Sequence, residues 1–243
     1  GLFSFVGAGG TVKNLGIEGG SISGNNYAGA LVSENRGTVT ECYASCKIIG
    51  LGNYAGGLVS NNGGAIRNCF ATGNVKGKQY VGGLIARNGA TVEYCYAAGP
   101  VTGQGDVGGL AGDTVQETGV TQKSFWDVTT SGQAESDGGA GLATAKMQQA
   151  TTFKTAGWNF STIWRIVENQ TYPLLKVFDE GDARQDEGEA EEKAPTQVVR
   201  QLIDNLDRED TDDDNLLSPE EADELTEYQF NQLDTNGDGK LSV

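Results

Sequence analysis

The feature that most constrains this chain is a recurrence. Tyr27-Ala-Gly-Ala-Leu-Val32, Tyr54-Ala-Gly-Gly-Leu-Val59, Tyr80-Val-Gly-Gly-Leu-Ile85 and Asp106-Val-Gly-Gly-Leu-Ala111 share one frame, with starts 27, 26 and 26 residues apart. A period in that range marks a repeat architecture, whose units are too small to bury an apolar face alone and bury it by stacking. Gly makes up 37 of 243 residues but Pro only 4. That balance suits tight turns between short strands, not collagen or a loose linker.

Aligned on this frame, the units give columns. Leu31, Leu58 and Leu84 fall together, then Asn35, Asn62 and Asn88, then Val39, Ile66 and Val92. Cys42, Cys69 and Cys95 follow, each with an aromatic next in line (Tyr43, Phe70, Tyr96), and then Ile48, Val75 and Val101. Short runs of strand-formers bounded by Gly, Asn or Ser read as strands. Identical columns laid on one another at a strand spacing of about 4.8 Å make a mainly β fold, a β-solenoid with aliphatic, cysteine and aromatic ladders. An irregular first rung runs from Gly1, with Val12, Leu15 and Ile22 in the Val39, Cys42 and Ile48 columns. Ser124-Phe125-Trp126 is expected to end the series.

The repeats resemble the bacterial GLUG motif over roughly residues 1–130. The stretch from Ser124-Phe-Trp-Asp127 to Tyr172-Pro-Leu-Leu175 is similar to the segment that closes such arrays. The resemblance implies a large bacterial surface or secreted protein, of adhesin type or from a group of immunoglobulin proteases in which the repeats are appendages. It implies an extracellular or cell-surface location.

Residues 131–178 are expected to cap the open end of the solenoid, since unpaired strand edges need covering. Thr144 is the expected N-cap of a short helix from Ala145 to about Ala150. Phe153, Trp158, Phe160 and Trp164 supply bulk, and strands are expected at 164–167 and 172–177. The rival reading of the tryptophans is a sugar-stacking platform. Cys42, Cys69 and Cys95 are expected to point inward, and Cys46, where other rungs have Gly73 and Gly99, to be exposed. Asn159 and Asn169 stand in glycosylation sequons.

The charge is split. Residues 1–178 hold 12 Lys and Arg against 11 Asp and Glu, whereas residues 179–243 hold 5 against 22. The acidity argues against nucleic acid, which needs a basic footprint, and favours cations. No apolar run approaches the roughly 18 residues of a membrane span. No export leader is read at the start, where Gly1 falls partway through a repeat.

Residues 179–195 carry no large apolar side chain and read as a self-repelling acidic linker. In residues 196–243, Val198, Val199, Leu202, Ile203 and Leu206 recur at helical spacing. Two oxygen-rich loops follow, 24 residues apart. A calcium ion takes six to eight oxygens with one bidentate carboxylate. In the first loop Asp210, Asp212, Asp214, the Leu216 carbonyl, Ser218 and Glu221 have the right spacing. In the second, Asp234, Asn236, Asp238 and Lys240 occupy the matching positions, and the sequence stops at loop position 10. The pattern resembles a small EF-hand pair. Paired calcium loops also occur in dockerins, with a longer spacing between loops.

There is no histidine, which removes Cys/His zinc sites and the commonest general base. Glu18, Glu41, Glu93, Asp106 and Asp113 fall in no common column, so no acid pair is expected. The reading is a non-catalytic extracellular rod with a calcium-stabilised tail, self-associating or bound to another surface protein. The alternatives are a glycan-binding adhesin that uses the Asn- and Gly-lined turns, or an accessory part of a carbohydrate-active enzyme.

Overall fold

The computed structural model describes residues 1–179 and, beyond them, the backbone of Leu216–Leu217 and Leu241–Ser242. The chain divides into two compact units, 1–188 and 189–243.

In the first unit each repeat becomes one turn of short strands, and each column becomes a ladder. Five narrow parallel sheets run along the rod. The first stacks Phe3–Val6, Val32–Asn35, Val59–Asn62, Ile85–Asn88 and Ala111–Thr114; the second stacks Thr11–Lys13, Thr38–Thr40, Ala65–Arg67, Thr91–Glu93 and Val120–Gln122. The register is unslipped: Val59 pairs with Val32 and Ile85, Ile66 with Val39 and Val92, Phe70 with Tyr43 and Tyr96, and Val75 with Ile48 and Val101. The irregular first rung joins in frame, with Val12 on Val39, Gly16 on Tyr43 and Ile22 on Ile48.

The rod is filled by its own columns. Leu31, Leu58, Leu84 and Leu110 are fully buried, as are Val39, Ile66, Val92, Cys42, Cys69 and Cys95. Each full-sized aliphatic so placed is worth about 1.5–3 kcal/mol of removal from water. The motif glycine is a steric requirement. A Cβ on Gly57 would meet the Gly83 carbonyl oxygen at 2.0 Å, and one on Gly83 the Gly109 oxygen at 2.2 Å.

A second column is set by hydrogen bonding. Asn35 Nδ2 donates to Asn62 Oδ1 at 2.8 Å, Asn62 Nδ2 to Asn88 Oδ1 at 2.9 Å, and Asn88 Nδ2 to Thr121 Oγ1 at 3.1 Å. Each Oδ1 also accepts the backbone N–H two residues on, from Gly37, Gly64 and Ala90. Such a network rewards one register only, because a slip would strand buried amides.

Four expectations need correction. The series does not end at Trp126. A sixth, partial rung follows, in which Ala140–Leu142 pairs in parallel with Phe125–Asp127, Gly109 donates to the Glu135 carbonyl, and Asp137 donates to that of Ala111. Between these, Asp127 caps a single helical turn, α1 (Val128–Ser131), accepting from the N–H groups of Thr129 and Thr130. Thr144 is not an N-cap: it is the first residue of α2 (Thr144–Met147), Ala143 stands before it, and a separate α3 (Ala150–Thr155) begins after Gln149. The closing strands are shorter than expected, Trp164–Arg165 against Leu174–Leu175, antiparallel.

The fourth correction concerns what the closing segment covers. It lies along the flank of the rod, not across its end. Cys42, Cys69 and Cys95 face inward, so the next residues, Tyr43, Phe70 and Tyr96, face outward, as alternation along a strand requires. Their rings stack at 4.9 and 5.0 Å. Met147, Phe153, Trp158, Trp164 and Leu175 close over them as a second core. Phe178 reaches Tyr43 edge-on at 4.8 Å.

In the second unit, the described backbone is one antiparallel pair: Leu216 opposite Ser242 and Leu217 opposite Leu241.

The asparagine column yields a prediction. Asn62→Leu, branched at Cγ like Asn but without its polar atoms, leaves Asn35 Nδ2 only the long contact to the Ala65 carbonyl at 3.4 Å, takes one of two donors from Asn88 Oδ1 and strips the Gly64 N–H of its acceptor. At about 1–3 kcal/mol per orphaned group, it lowers unfolding free energy by about 2–4 kcal/mol. A urea titration should show an earlier midpoint with unchanged slope; an unshifted midpoint would remove the network from the account.

Candidate functional site

Five groups of residues singled out by the sequence can be located on the rod. The cysteine column is built inward and is chemically quiet. All four thiols are free and buried. Cys42, Cys69 and Cys95 each donate to the carbonyl two residues earlier, at 3.2, 3.1 and 3.1 Å. Burial pushes the Cys69 thiol well up, and the Cys46 thiol up as well, whereas its hydrogen bond with Cys69 holds the Cys42 thiol below its ordinary value. The raised thiols, held neutral, are poor nucleophiles and poor metal ligands.

Cys46 contradicts its expected exposure: it is 2% exposed and belongs to the core. In later rungs a side chain at this corner is blocked, since a Cβ on Gly73 would meet the Cys46 oxygen at 1.8 Å. The first rung turns differently there, through Gly19 and Gly20 with φ of 69° and 60°, and the thiol is accommodated.

The carboxylates are dispersed. Glu41 pairs with Lys13 at 3.3 Å, Glu93 with Arg67 at 3.1 Å and Asp113 with Arg87 at 3.0 Å. Glu18 accepts from the Tyr43 hydroxyl. Asp106 stands in the column of Tyr27, Tyr54 and Tyr80. These are cross-rung contacts along the surface, with exposed partners worth about 0–1 kcal/mol each.

The asparagine and tryptophan readings change with burial. Asn35, Asn62 and Asn88 are at most 1% exposed, so they line no accessible turn. Trp126, Trp158 and Trp164 are 6%, 4% and 0% exposed, and no ring face is open to a sugar. The Trp158 indole donates to the Lys123 carbonyl at 2.9 Å, and that of Trp164 to Asn68 Oδ1 at 3.3 Å. These partners share a feature. Asn14, Glu41, Asn68, Tyr94 and Lys123, one residue before the cysteine column in every rung, all have φ between 51° and 57°. A left-handed corner is therefore repeated along the rod, including at Glu, Tyr and Lys, which adopt it at a cost. The corner turns the chain so that Asn68, Tyr94 and Lys123 meet the closing segment. Tyr94 packs edge-on to Trp158 at 6.4 Å, and Lys123 Nζ donates to Tyr94 Oη at 2.9 Å.

Two tyrosines lock the segment down. The Tyr96 hydroxyl donates to the Pro173 carbonyl at 2.8 Å, and that of Tyr172 to Asp127 Oδ2 at 2.7 Å. Asp127 thus ties α1, the last full rung and the closing strand together. Sequence reasoning missed this buried carboxylate, although an Asp before Val-Thr-Thr-Ser was a readable capping signal.

The calcium-loop residues Asp210, Asp212, Asp214, Ser218, Glu221, Asp234, Asn236, Asp238 and Lys240 lie outside the described residues. Leu216 lies in the antiparallel pair of the second unit. The sequons place Asn159 in a turn, where its Nδ2 donates to Thr162 Oγ1 at 2.8 Å, and Asn169 at φ 60°.

Comparison with known proteins agrees with this architecture. Residues 52–76, one rung, match the family described as the GLUG motif. A protein of Evansella cellulosilytica described as a "Putative Gly-rich membrane protein" is 35% identical over 80 residues, 29% of this chain and 9% of that protein's length. A solved structure from Bacteroides ovatus, described as a "putative immunoglobulin A1 protease", superposes with a TM-score of 0.56 at 17% identity, over 73% of this chain and 74% of that one. At that identity the likeness is one of fold. The first unit is a β-solenoid, and one of its rungs matches the GLUG motif. No helix among the described residues is long and apolar enough to cross a membrane.

Burial raises the Tyr172 phenol to about 12 from 10.0, with its bond to Asp127 adding to the effect, and burial raises Tyr96 well above 10.0. A phenol raised in the folded state contributes stability that is complete below its unfolded value and is lost as pH rises above it. Between pH 10 and about 12 the closing segment should therefore loosen. Tryptophan emission should shift to the red over that window while far-ultraviolet β signal persists. Tyr172→Phe should move the onset upward in pH; an onset unmoved by Tyr172→Phe contradicts this assignment.

Proposed function

We propose that this chain is a segment of an extracellular, surface-associated bacterial protein. Its solenoid is a non-catalytic rod and its acidic tail a calcium-binding module. The observation that carries the rod reading is the continuity of the ladders. The inward aliphatic and cysteine columns run from rung to rung until Thr121 and Ser124 replace them in the last full rung, and the aromatic column beside the cysteines is sealed by the closing segment. The polar columns are spent on holding register, and the carboxylates are spread across separate columns of the surface. The likeness to a protein described as a Gly-rich membrane protein supports a surface location. A fold shared with a protein described as a "putative immunoglobulin A1 protease" is in keeping with it.

Support for the calcium reading comes from the second unit. Leu217 and Leu241 each occupy position 8 of an oxygen-rich loop, and they are paired opposite one another. A module that shares two calcium loops would need such a pairing of its position-8 residues. Asp210, Asp212, Asp214, Ser218 and Glu221 would supply side-chain oxygens to the first ion, with the Leu216 carbonyl. Asp234, Asn236, Asp238 and the Lys240 carbonyl would serve the second. The ion would offset like charges in a tail of net charge −17. The rod is proposed to associate with itself or with another surface protein. The glycan reading loses the features that motivated it, since the asparagines and tryptophans are buried.

Calcium titration of the full chain tests the tail. Binding to the folded form alone adds about 3 kcal/mol at a hundredfold excess over the dissociation constant. Calorimetry should show a calcium-dependent transition that chelation removes and Glu221→Gln weakens by at least about tenfold in affinity. The rod's own transition should not move. A tail indifferent to calcium would defeat the metal reading and leave the rod reading standing.

A further inference from the structure

The rod carries a second aromatic ladder, on a different corner and without a cover. Tyr27, Tyr54 and Tyr80 stack ring on ring, with centroids 5.0 and 5.0 Å apart and planes within 2° and 10° of parallel. Tyr27 is 49% exposed, and Tyr54 and Tyr80 are partly exposed. The covered ladder differs in two ways. It is buried, and Phe70 separates Tyr43 from Tyr96, so no two phenols adjoin along it. On the open ladder Tyr54 has a phenol on either side. The in-register backbone sets Tyr54 directly beside Tyr27, so rings in like rotamers lie face to face.

We propose that Tyr27, Tyr54 and Tyr80 are a site of oxidative modification, at which dityrosine bonds form between rungs. The co-reactant is hydrogen peroxide acting through a haem peroxidase, a one-electron oxidant of exposed phenols. Each of two adjacent phenols loses one electron and one proton, leaving a pair of phenoxyl radicals. The radicals couple through ring carbons ortho to oxygen, forming one C–C bond. The two ortho hydrogens move to the phenol oxygens as the rings regain aromaticity. One peroxide accepts both electrons and both protons and leaves as two waters. The ladder raises the yield by holding the second phenol beside the first, the same advantage in effective concentration that any intramolecular reaction has. Free thiols cannot perform this stapling in the rod, because all four are inside it. An inter-rung bond would cross-link the parallel stack covalently at the one aromatic column that an oxidant can reach.

Treating the purified full chain with peroxidase and peroxide at low protein concentration tests the assignment. The expected result is blue dityrosine emission from monomeric protein, with cross-links joining the tryptic peptides of Tyr27 and Tyr54, and of Tyr54 and Tyr80. Tyr54→Phe, which keeps the stack, should abolish both cross-links while circular dichroism and the melting transition stay as in the parent. Absent emission, cross-links confined to Tyr94, Tyr172 or Tyr228, or cross-links that survive Tyr54→Phe with the fold intact would each overturn it.

Discussion

In-register parallel pairing between rungs is the constraint on which everything else in the rod depends. Each rung offers a few residues to each of five narrow sheets, and no strand is long enough to stand alone. Stability is therefore a matter of nearest neighbours, with each rung both template and cover for the next. Because the register is exact, a residue type that suits one rung suits the rung above it. Leucine fills against leucine, asparagine bonds to asparagine and phenol lies on phenol. The glycines follow from the same constraint. Where one turn lies directly on another, backbone touches backbone and a Cβ has nowhere to go.

The closing segment shows how the rod deals with a surface that the repeat itself makes apolar. Alternation puts one aromatic per rung on the outside beside the cysteine column. A single stack of that kind, Tyr43 to Phe125, would leave a greasy seam. The segment from α2 to Phe178 runs back along the seam and buries it. Its indole hydrogen bonds land on the corner residues Asn68 and Lys123, and its Tyr172 phenol on the Asp127 carboxylate. The cost of a left-handed conformation in every rung is offset by ladder hydrogen bonds on both sides, and the corner aims those residues at the cover.

Much of this was readable from period alone. The aliphatic and cysteine columns, the in-frame first rung and the stacking of the aromatics all follow from spacing. The place of the cover did not, because bulky residues announce that something is covered but not which face. The signal was present nonetheless. An aromatic immediately after an inward cysteine must point outward, and so needs a lid on the flank. The left-handed corner was hidden because only Asn14 and Asn68 look like such residues; Glu41, Tyr94 and Lys123 do not. Cys46 misled for a related reason: its column is glycine in later rungs, and only the unusual turn of the first rung leaves room for a buried thiol. The calcium loops remain a reading of spacing, with the Leu217–Leu241 pair as their structural support.

Native-state amide hydrogen exchange tests the dependence on rung-to-rung pairing most directly. If the ladder is the source of stability, the slowest amides lie in the interior rungs, in Val59–Asn62, Ala65–Arg67 and Ile85–Asn88, each bonded to a rung on either side. Exchange should quicken toward the first rung, and α3 should exchange faster than the rungs it covers. Amides of α3 or of Phe3–Val6 that outlast those of Val59–Asn62 would contradict the account.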